Sequence, residues 1–534
     1  MASDKLPPYD RSDTALSSSD RKKVDNGYND VEQRNGTVEN LDEQTGYVSE
    51  LAKNRSTFQL AFMAFILASI PYGLATSLIY PLMNGGPVTM IWGWLLVSVI
   101  IFCVALSLAE ITSVYPTAGG VYYQTFMLSS KSSRRITSWI CGWAYVVGNI
   151  LITLAVNFGT TLFIIGCINV FETEDGEGIF PAETYQVYLI FVALTILCNL
   201  VSSLGNRWLP YLDTFAIYWT GIGLLTMVIC ILVLAKQGRH SASYAFGHFE
   251  PLSGWPSGWA FCVGLLHAAY ATSSTGMLIA MCEEVPNPKV QVPKAMVGTV
   301  ILNTVAGLIT LIAFAFVLPD LETLINSEQP VPVIVKSAVG NAAGAFALLI
   351  PLIVLAILCG ICCTTAASRV TWAFSRDGGI PGSAWWRKVN DSLQIPFNAM
   401  MLSMIVQLVL GAIYFGSATA FNSFSSAGVI CLTISYATPI MVSMLRGRED
   451  VKHGAFYLGR WGTFCNVVSL LWSFLVVPLF CMPAGIPVTA ETVNYASVVF
   501  VGFIIFATAW YFAWGKTNYG GPPPVNDHLS ENSG

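Results

Sequence analysis

Long stretches without Asp, Glu, Lys or Arg are the feature of this sequence that most restricts its fold. A helix that crosses a lipid bilayer needs about 20 mostly apolar residues, and each stretch is long enough for that. They cover residues 58–109, 140–171, 184–206, 214–235, 251–282, 295–319, 337–368, 392–445, 461–490 and 492–515. Because the first stretch and 392–445 each have room for two crossings, the sequence predicts twelve membrane-spanning helices, numbered spans 1 to 12 in chain order.

The composition excludes several classes of protein. Of the 534 residues, 11% are charged and 54% are hydrophobic, whereas a soluble globular protein carries about 25% charged residues. A soluble multidomain enzyme, a nucleic-acid-binding protein and a secreted disulfide scaffold are therefore disfavoured. The apolar stretches lack the two-residue alternation of a membrane barrel, so we expect an all-α integral membrane protein whose surroundings are the lipid bilayer.

The distribution of basic residues predicts the orientation in the membrane. The even-numbered connections between spans hold fourteen Lys and Arg residues, whereas the odd-numbered ones hold only Lys236, Arg239 and Lys336. The charged residues of the connection 172–183 are all acidic. Since basic loops stay on the cytoplasmic side, both chain termini are predicted to be cytoplasmic.

The polar ends of the chain lie outside the predicted spans. We expect residues 1–57 to form a disordered cytoplasmic tail, and residues 516–534 to form a cytoplasmic C-terminal tail, with no cleavable signal peptide. The predicted twelve-helix region then covers residues 58–515.

Spans 1 and 6 each contain a segment that weakens a helix. Span 1 carries Pro71, which lacks a backbone donor, and Gly73, which permits unusual dihedral angles. Span 6 carries four consecutive hydroxyl side chains followed by Gly276. Broken helices at matching places are typical of transporters built from a five-plus-five inverted repeat, here about 58–235 and 251–445 with extra helices in 461–515. The alternative for each span is an ordinary kink.

Unwound backbone inside a membrane has a chemical consequence. Its N–H and C=O groups must face protein, water or a ligand, because lipid offers no hydrogen-bond partner. N–H groups at a helix start favour a carboxylate and C=O groups at a helix end favour a cation, so a small zwitterion or amine suits such a site. The predicted substrate-binding residues are Ser69, Tyr72, Gly73, Thr76, Tyr270, Thr272, Ser273, Thr275 and Gly276.

Three loops carry a family resemblance. Residues 110–122 fit the pattern E-x-x-S-x-x-P-x-x-G-G-x-Y, residues 283–295 fit E-E-x-x-N-P-x-x-x-x-P-x-A, and residues 367–381 resemble S-R-x-x-x-A-x-x-R-D-G-x-x-P. Together they resemble the amino acid–polyamine–organocation permeases, and most closely the fungal amino acid/choline branch with its choline and GABA permeases. The resemblance implies a secondary active transporter that imports a small amino acid or amine by alternating access. It also implies proton coupling, a plasma-membrane location and no cofactor.

The sequence departs from the family pattern in span 6. Many relatives carry an Asp and, four residues later, a His, at the positions that Gly276 and Ala280 occupy here. A carboxylate there would suit a cationic amine, so its absence weakens the case for choline or GABA in particular. The aromatic residues Tyr72, Tyr270 and Trp143 offer an alternative, since aromatic faces attract quaternary ammonium groups.

Ionisable residues in or near spans are candidates for coupling and gating. His267 is the one histidine predicted inside a span, and it could exchange a proton or bond a backbone carbonyl. One hypothesis is a cytoplasmic gate in which Arg207, Arg369 and Arg376 pair with Glu110, Glu283 or Glu284. The alternatives are that Glu110 and Asp213 pair with loop arginines, and that these charges only set the topology. The full set of coupling or gating candidates is His267, Glu110, Asp213, Glu283, Glu284 and Arg369.

Two other functions remain open at this point. A polytopic membrane enzyme would need acidic or histidine clusters, which a single membrane histidine does not provide. A non-transporting nutrient sensor could use the same scaffold. Cys359, Cys362 and Cys363 lie close together in the sequence, but without polar support they are expected to pack in the core and not to bind a metal.

Overall fold

The computed structural model describes residue 47 and residues 57–204, 209–327, 329–390, 392–483, 485–489 and 493–523. Within this part of the chain the secondary structure is helical, with three isolated bridges and no strand. Of the predicted tails, the structure describes residues 47, 57 and 516–523, and Arg207 lies outside the described residues.

The predicted spans are present as helices. Spans 2 to 5 are Gly86–Val114, Arg134–Ile168, Thr184–Leu204 and Leu209–Leu234. Spans 7 to 12 are Pro288–Val317, Ala342–Arg376, Phe397–Gly411 with Ala412–Phe415, Ala418–Leu445, Arg460–Phe480 and Ala496–Trp510. In the described part, eleven helices, one of them the interrupted span 6, are long and apolar enough to cross a bilayer, and span 1 adds a shorter apolar helix. The all-α membrane fold predicted from the sequence is therefore confirmed.

Short helices connect several spans. They are Ile79–Met83, Gly120–Leu128, Ala242–Gly247, Leu321–Ile325, Pro330–Val339, Ser383–Trp386 and Asp450–His453. Two further short helices, Tyr511–Gly515 and Lys516–Asn518, directly continue span 12. Gly120–Leu128 packs against spans 3 and 10, so the loop after span 2 is part of the protein core.

Spans that occupy equivalent places in the two predicted repeats pack on one another. Span 2 lies along span 7, span 3 lies along span 8, and both halves of span 1 contact span 6. Close approach at one such pair depends on Gly307, because a Cβ atom there would lie 2.5 Å from the Trp94 ring. The Trp94 indole N–H donates to the Thr304 carbonyl oxygen at 3.1 Å and fixes this contact.

The outer surface suits hydrocarbon. Large apolar side chains such as Phe474, Val498 and Ile222 are more than 60% exposed. In water such a surface would favour aggregation. The most apolar window of span 3 is 78% buried, against 17% for span 12. Span 3 is therefore central to the bundle, whereas span 12 faces lipid.

Candidate functional site

Span 1 is broken at Ser69. This residue adopts the left-handed conformation, with φ 42° and ψ 48°, and separates the helices Thr57–Ala68 and Ile70–Ser77. Its hydroxyl donates to the Ile66 carbonyl oxygen at 2.6 Å and so supports the turn. Pro71 has no N–H to donate to the Leu67 carbonyl oxygen, which leaves that acceptor open to other donors. The break lies two residues before the proline that signals it.

The Leu67 carbonyl marks the point where spans 1, 6 and 8 meet. It accepts a hydrogen bond from the Ser274 hydroxyl of span 6 at 3.0 Å. The Cys359 thiol of span 8 lies 3.7 Å from the same oxygen. The proline in span 1 thus frees a backbone acceptor, and two other spans supply its donors.

Span 6 is interrupted twice. Its helices Ser257–Gly264 and Leu266–Ala271 are followed by a twelve-residue 3₁₀ helix, Ser273–Glu284, although 3₁₀ runs beyond three or four residues are uncommon. The hydroxyls of Thr272 and Thr275 donate to the carbonyl oxygens three or four residues earlier, at 2.8 and 2.7 Å. Such local bonds compete with regular helix hydrogen bonds and explain the irregular backbone.

Tyrosines from two other spans bond the backbone of this interruption. The Tyr436 hydroxyl of span 10 donates to the Ser273 carbonyl oxygen at 3.2 Å. The Tyr145 hydroxyl of span 3 donates to the Gly276 carbonyl oxygen at 3.1 Å. A Cβ atom on Gly276 would lie 2.4 Å from the Tyr436 ring, so this ring fills the space that a side chain at position 276 would need.

Most of the predicted substrate-binding side chains are bonded to protein in this conformation. The Tyr72 hydroxyl bonds the Val156 carbonyl oxygen and Thr160 at 3.0 and 2.9 Å. The Thr76 hydroxyl donates to the Gly73 carbonyl oxygen, and the Ser273 hydroxyl donates to that of Tyr270. Gly73 packs directly on span 6, since its Cβ position lies 3.7 Å from the Ala271 side chain.

There is little free space beside the broken part of span 6. A cavity of about 30 Å³ lies beside Thr272, Ser273 and Thr275, and Tyr436 and Trp472 form part of its wall. Its described lining comes from spans 2, 6, 10 and 11 and includes no residue of span 1. The cavity has room for one or two water molecules and is too small for an amino acid. A larger cavity of about 420 Å³ opens on the predicted outer side, where Tyr80 and Leu266 form part of its wall.

His267 joins the second half of span 1 to the middle segment of span 6, Leu266–Ala271. It is buried, and its Nδ1 lies 3.0 Å from the Ser77 hydroxyl oxygen, which is itself 3.0 Å from the Gly73 carbonyl oxygen. Its Nε2 has no hydrogen-bond partner among the described residues. The Trp94 ring lies beside it, with centroids 6.4 Å apart.

Two ion pairs link the end of span 6 to span 8. Glu284 accepts from the Arg369 Nε at 2.7 Å, and both side chains are buried. Glu283 accepts two hydrogen bonds from the Arg376 guanidinium at 3.0 and 3.1 Å, and a third from the Ala118 backbone N–H. The structure therefore brings Glu283, Glu284 and Arg369 together on the predicted cytoplasmic side.

Glu110 does not join that group. Its partner is Arg448, from the connection between spans 10 and 11, at 2.6 and 2.7 Å to the two carboxylate oxygens. The Leu458 backbone N–H adds a third hydrogen bond. The alternative of a gate pairing with Arg369 or Arg376 is therefore wrong for Glu110, because these arginines bond the carboxylates of span 6. The other alternative, a pairing with a loop arginine, is the one that the structure shows. The side chain of Asp213 lies outside the described residues.

Two tyrosines in the connection after span 2 are kept neutral. Burial raises the pKa of Tyr115 to about 12, and the nearby Asp450 carboxylate acts in the same direction. Burial also raises the pKa of Tyr123, with a contribution from Asp377. Both phenols stay protonated at physiological pH and act only as neutral groups beside the ion pairs.

The same stretch of chain matches a known family. The family model described as amino acid permease matches residues 56–505. The chain belongs to the amino acid permease family. It is a multi-pass membrane transporter and not an enzyme, and its resemblance to the fungal permease branch is confirmed.

Relatives of this permease are similar over most of their length. A choline transporter of Saccharomyces cerevisiae is 28% identical over 472 residues, which cover 88% of this chain and 83% of the relative. An amino-acid permease of Oryza sativa subsp. japonica is 31% identical, with 88% and 92% covered. A polyamine transporter of Saccharomyces cerevisiae is 30% identical, with 85% and 74% covered.

Several residues that shape the candidate site in this permease were not predicted from its sequence. Leu67 could have been found, because a proline always deprives the carbonyl four residues earlier of its helical donor. Ser274 lies between the predicted residues Ser273 and Thr275, and nothing in the sequence distinguishes its role from theirs. Tyr145, Tyr436 and Cys359 look like ordinary packing residues of apolar spans.

Proposed function

We propose that this permease is a proton-coupled importer of a small amino acid or amine, working by alternating access. The observation that carries the proposal is the meeting of two interrupted spans, whose backbone carbonyls at Leu67, Ser273 and Gly276 are bonded by side chains of other spans. These carbonyls are acceptors that a substrate ammonium group would bond in turn, because it carries strong N–H donors.

The polarity of the site supports a substrate that is recognised through hydrogen bonds. None of the residues that line the small cavity carries a charge at neutral pH. Bound substrate would take the second acceptor position of the Ser273 and Gly276 carbonyls, so the tyrosine hydroxyls stay bonded and spans 3 and 10 close around an enlarged cavity. The predicted contacts in spans 1 and 6, Ser69 to Thr76 and Tyr270 to Gly276, surround these carbonyls. The relatives named as choline and polyamine transporters and as amino-acid permeases favour the same classes of substrate.

The ion pairs support a closed cytoplasmic side. Glu283 and Glu284 belong to span 6, whereas Arg369 and Arg376 belong to span 8, so both pairs must part if span 6 moves away. The 420 Å³ cavity lies at the opposite end of span 6. We therefore propose that this conformation faces outward. The family resemblance and the basic loops support a plasma-membrane transporter with both termini in the cytoplasm.

Uptake into liposomes tests the proposed function. Purified permease is reconstituted, a proton gradient is imposed with the lumen alkaline, and labelled choline, γ-aminobutyrate, spermidine and alanine are offered in turn. We expect accumulation of at least one of them, and loss of accumulation when a protonophore collapses the gradient. Accumulation that persists with the protonophore would remove proton coupling.

The same preparation separates the transporter from the nutrient sensor. A sensor would bind one of the four compounds, seen as a rise in thermal unfolding temperature, without moving it across the membrane. Binding without uptake would therefore replace the proposed function, and neither binding nor uptake would exclude this substrate class.

His267→Gln is expected to uncouple uptake from protons. Glutamine keeps a polar group near Ser77 but cannot take a proton, so uptake should lose its dependence on external pH and substrate should equilibrate without accumulating. The measurement is initial uptake between pH 5 and 8, with a pH-sensitive dye in the lumen. His240→Gln, in the connection between spans 5 and 6, is the matched control, and an unchanged pH profile in His267→Gln would remove this histidine from the coupling.

A further inference from the structure

Two thiols of span 8 face the break in span 1. The Sγ atoms of Cys359 and Cys363 lie 3.9 Å apart, one helical turn from each other, and both residues are buried. Cys359 is the nearer to span 1, with its Sγ 3.7 Å from the Leu67 carbonyl oxygen. The Ser69 side chain lies beside the same thiol.

The thiol is an unusual donor for this carbonyl. A thiol donates weakly, so it gives the freed Leu67 oxygen less than a hydroxyl or an N–H would give. The oxygen accepts one stronger hydrogen bond, from Ser274 at 3.0 Å, and among the described residues its second side-chain donor is the Cys359 thiol. A stronger donor would replace the thiol at this oxygen, because only a weak hydrogen bond is lost.

We propose that Cys359 is a specificity-determining residue. Its thiol bonds the Leu67 carbonyl oxygen in this conformation, and an N–H group of the substrate replaces the thiol when substrate binds. This inference rests on the proposed function and names its substrate class. A primary or secondary ammonium group has an N–H to replace the thiol, whereas the trimethylammonium group of choline has none. The permease therefore prefers amino acids or polyamines to choline.

Substitutions of Cys359 separate this role from simple packing. In Cys359→Ser the hydroxyl competes more strongly for the Leu67 carbonyl, so the KM for spermidine or γ-aminobutyrate should rise about two- to tenfold. In Cys359→Ala the competitor is absent, and the KM should fall below that of the wild type. A packing role would instead lower the amount of folded protein or kcat in both variants.

The matched controls are Cys465→Ser and Cys465→Ala, at a buried thiol of span 11. Both should leave the KM unchanged. If Cys359→Ser and Cys359→Ala move the KM in the same direction, or leave it unchanged, the thiol is not the substrate's competitor and the inference is overturned.

Labelling of the wild-type protein gives a test that does not depend on a variant. The probe is 2-aminoethyl methanethiosulfonate, which carries a primary ammonium group. The Cys359 thiolate attacks the sulfur bonded to the aminoethyl group, a mixed disulfide forms, the thiosulfonate S–S bond breaks, methanesulfinate leaves, and the thiol proton goes to water. Peptide mass spectrometry locates the added group.

We expect Cys359 to be labelled, and spermidine, γ-aminobutyrate or alanine to slow the labelling at least tenfold while choline does not. An unlabelled Cys359, or labelling that choline slows as much as the N–H ligands do, overturns the inference. Because protection reports binding and not transport, protection in liposomes that accumulate nothing would reject the proposed transport function and leave the role of Cys359 standing.

Discussion

Arg448→Met is expected to lower the free energy of unfolding by about 3–5 kcal/mol, because it leaves the buried Glu110 carboxylate without its cation. Glu110 is 1% exposed and the Arg448 side chain is 8% exposed. The Leu458 N–H is the hydrogen bond to this carboxylate that remains. Since the pair joins the end of span 2 to the connection before span 11, we also expect uptake to be lost. Thermal unfolding in detergent, followed by intrinsic fluorescence, measures the stability.

A double variant shows whether the pair is needed for stability or for movement. Arg448→Met combined with Glu110→Leu removes both charges, and replacing a buried pair by apolar residues is often neutral for stability. We expect unfolding close to the wild type but uptake still reduced. Lys452→Met, on the same connection, removes an exposed pair with Glu449 and should change neither property. Wild-type stability in Arg448→Met alone would contradict the prediction.

Gly462 offers an independent approach to the same pair. A Cβ atom there would lie 1.9 Å from an Arg448 guanidinium nitrogen, so the arginine must move to admit it. Gly462→Ala replaces a helical glycine by a better helix former and would otherwise be mildly stabilising. Its destabilisation would therefore report on the displaced guanidinium.

The number and position of the spans could be predicted because bilayer insertion depends on local composition alone. Each span is an apolar stretch between charged connections, and the interruption of span 1 is announced by Pro71, whose missing N–H acts only four residues away. The choice of Ser69 for the left-handed turn could not be predicted. It depends on which residue can bend while the two helix halves stay packed on span 6.

Partners distant in sequence could not be predicted. Glu110 and Arg448 lie 338 residues apart, and several arginines on the same predicted side of the membrane were equally plausible. For the hydroxyls of Thr272, Ser273 and Thr275, partners close in sequence were missed. They were predicted to contact substrate, yet in this conformation each donates to a carbonyl of its own span, since that acceptor is always within reach.

Gly276→Ala is expected to reduce uptake at least fivefold while the protein still folds. The added Cβ atom would lie 2.4 Å from the Tyr436 ring, and the ring must move away from its bond to the Ser273 carbonyl. Overpacking of this kind costs about 1–3 kcal/mol, and each 1.4 kcal/mol is worth about a factor of ten in rate or affinity. Labelled uptake with normalisation to protein in the membrane measures the effect.

The control is Gly298→Ala in span 7, where a Cβ atom meets nothing within 4 Å, and uptake there should match the wild type. Tyr436→Ala added to Gly276→Ala should restore part of the uptake, because the double variant relieves the contact. Wild-type uptake in Gly276→Ala would mean that Tyr436 moves freely, and that spans 6 and 10 do not close together around the substrate.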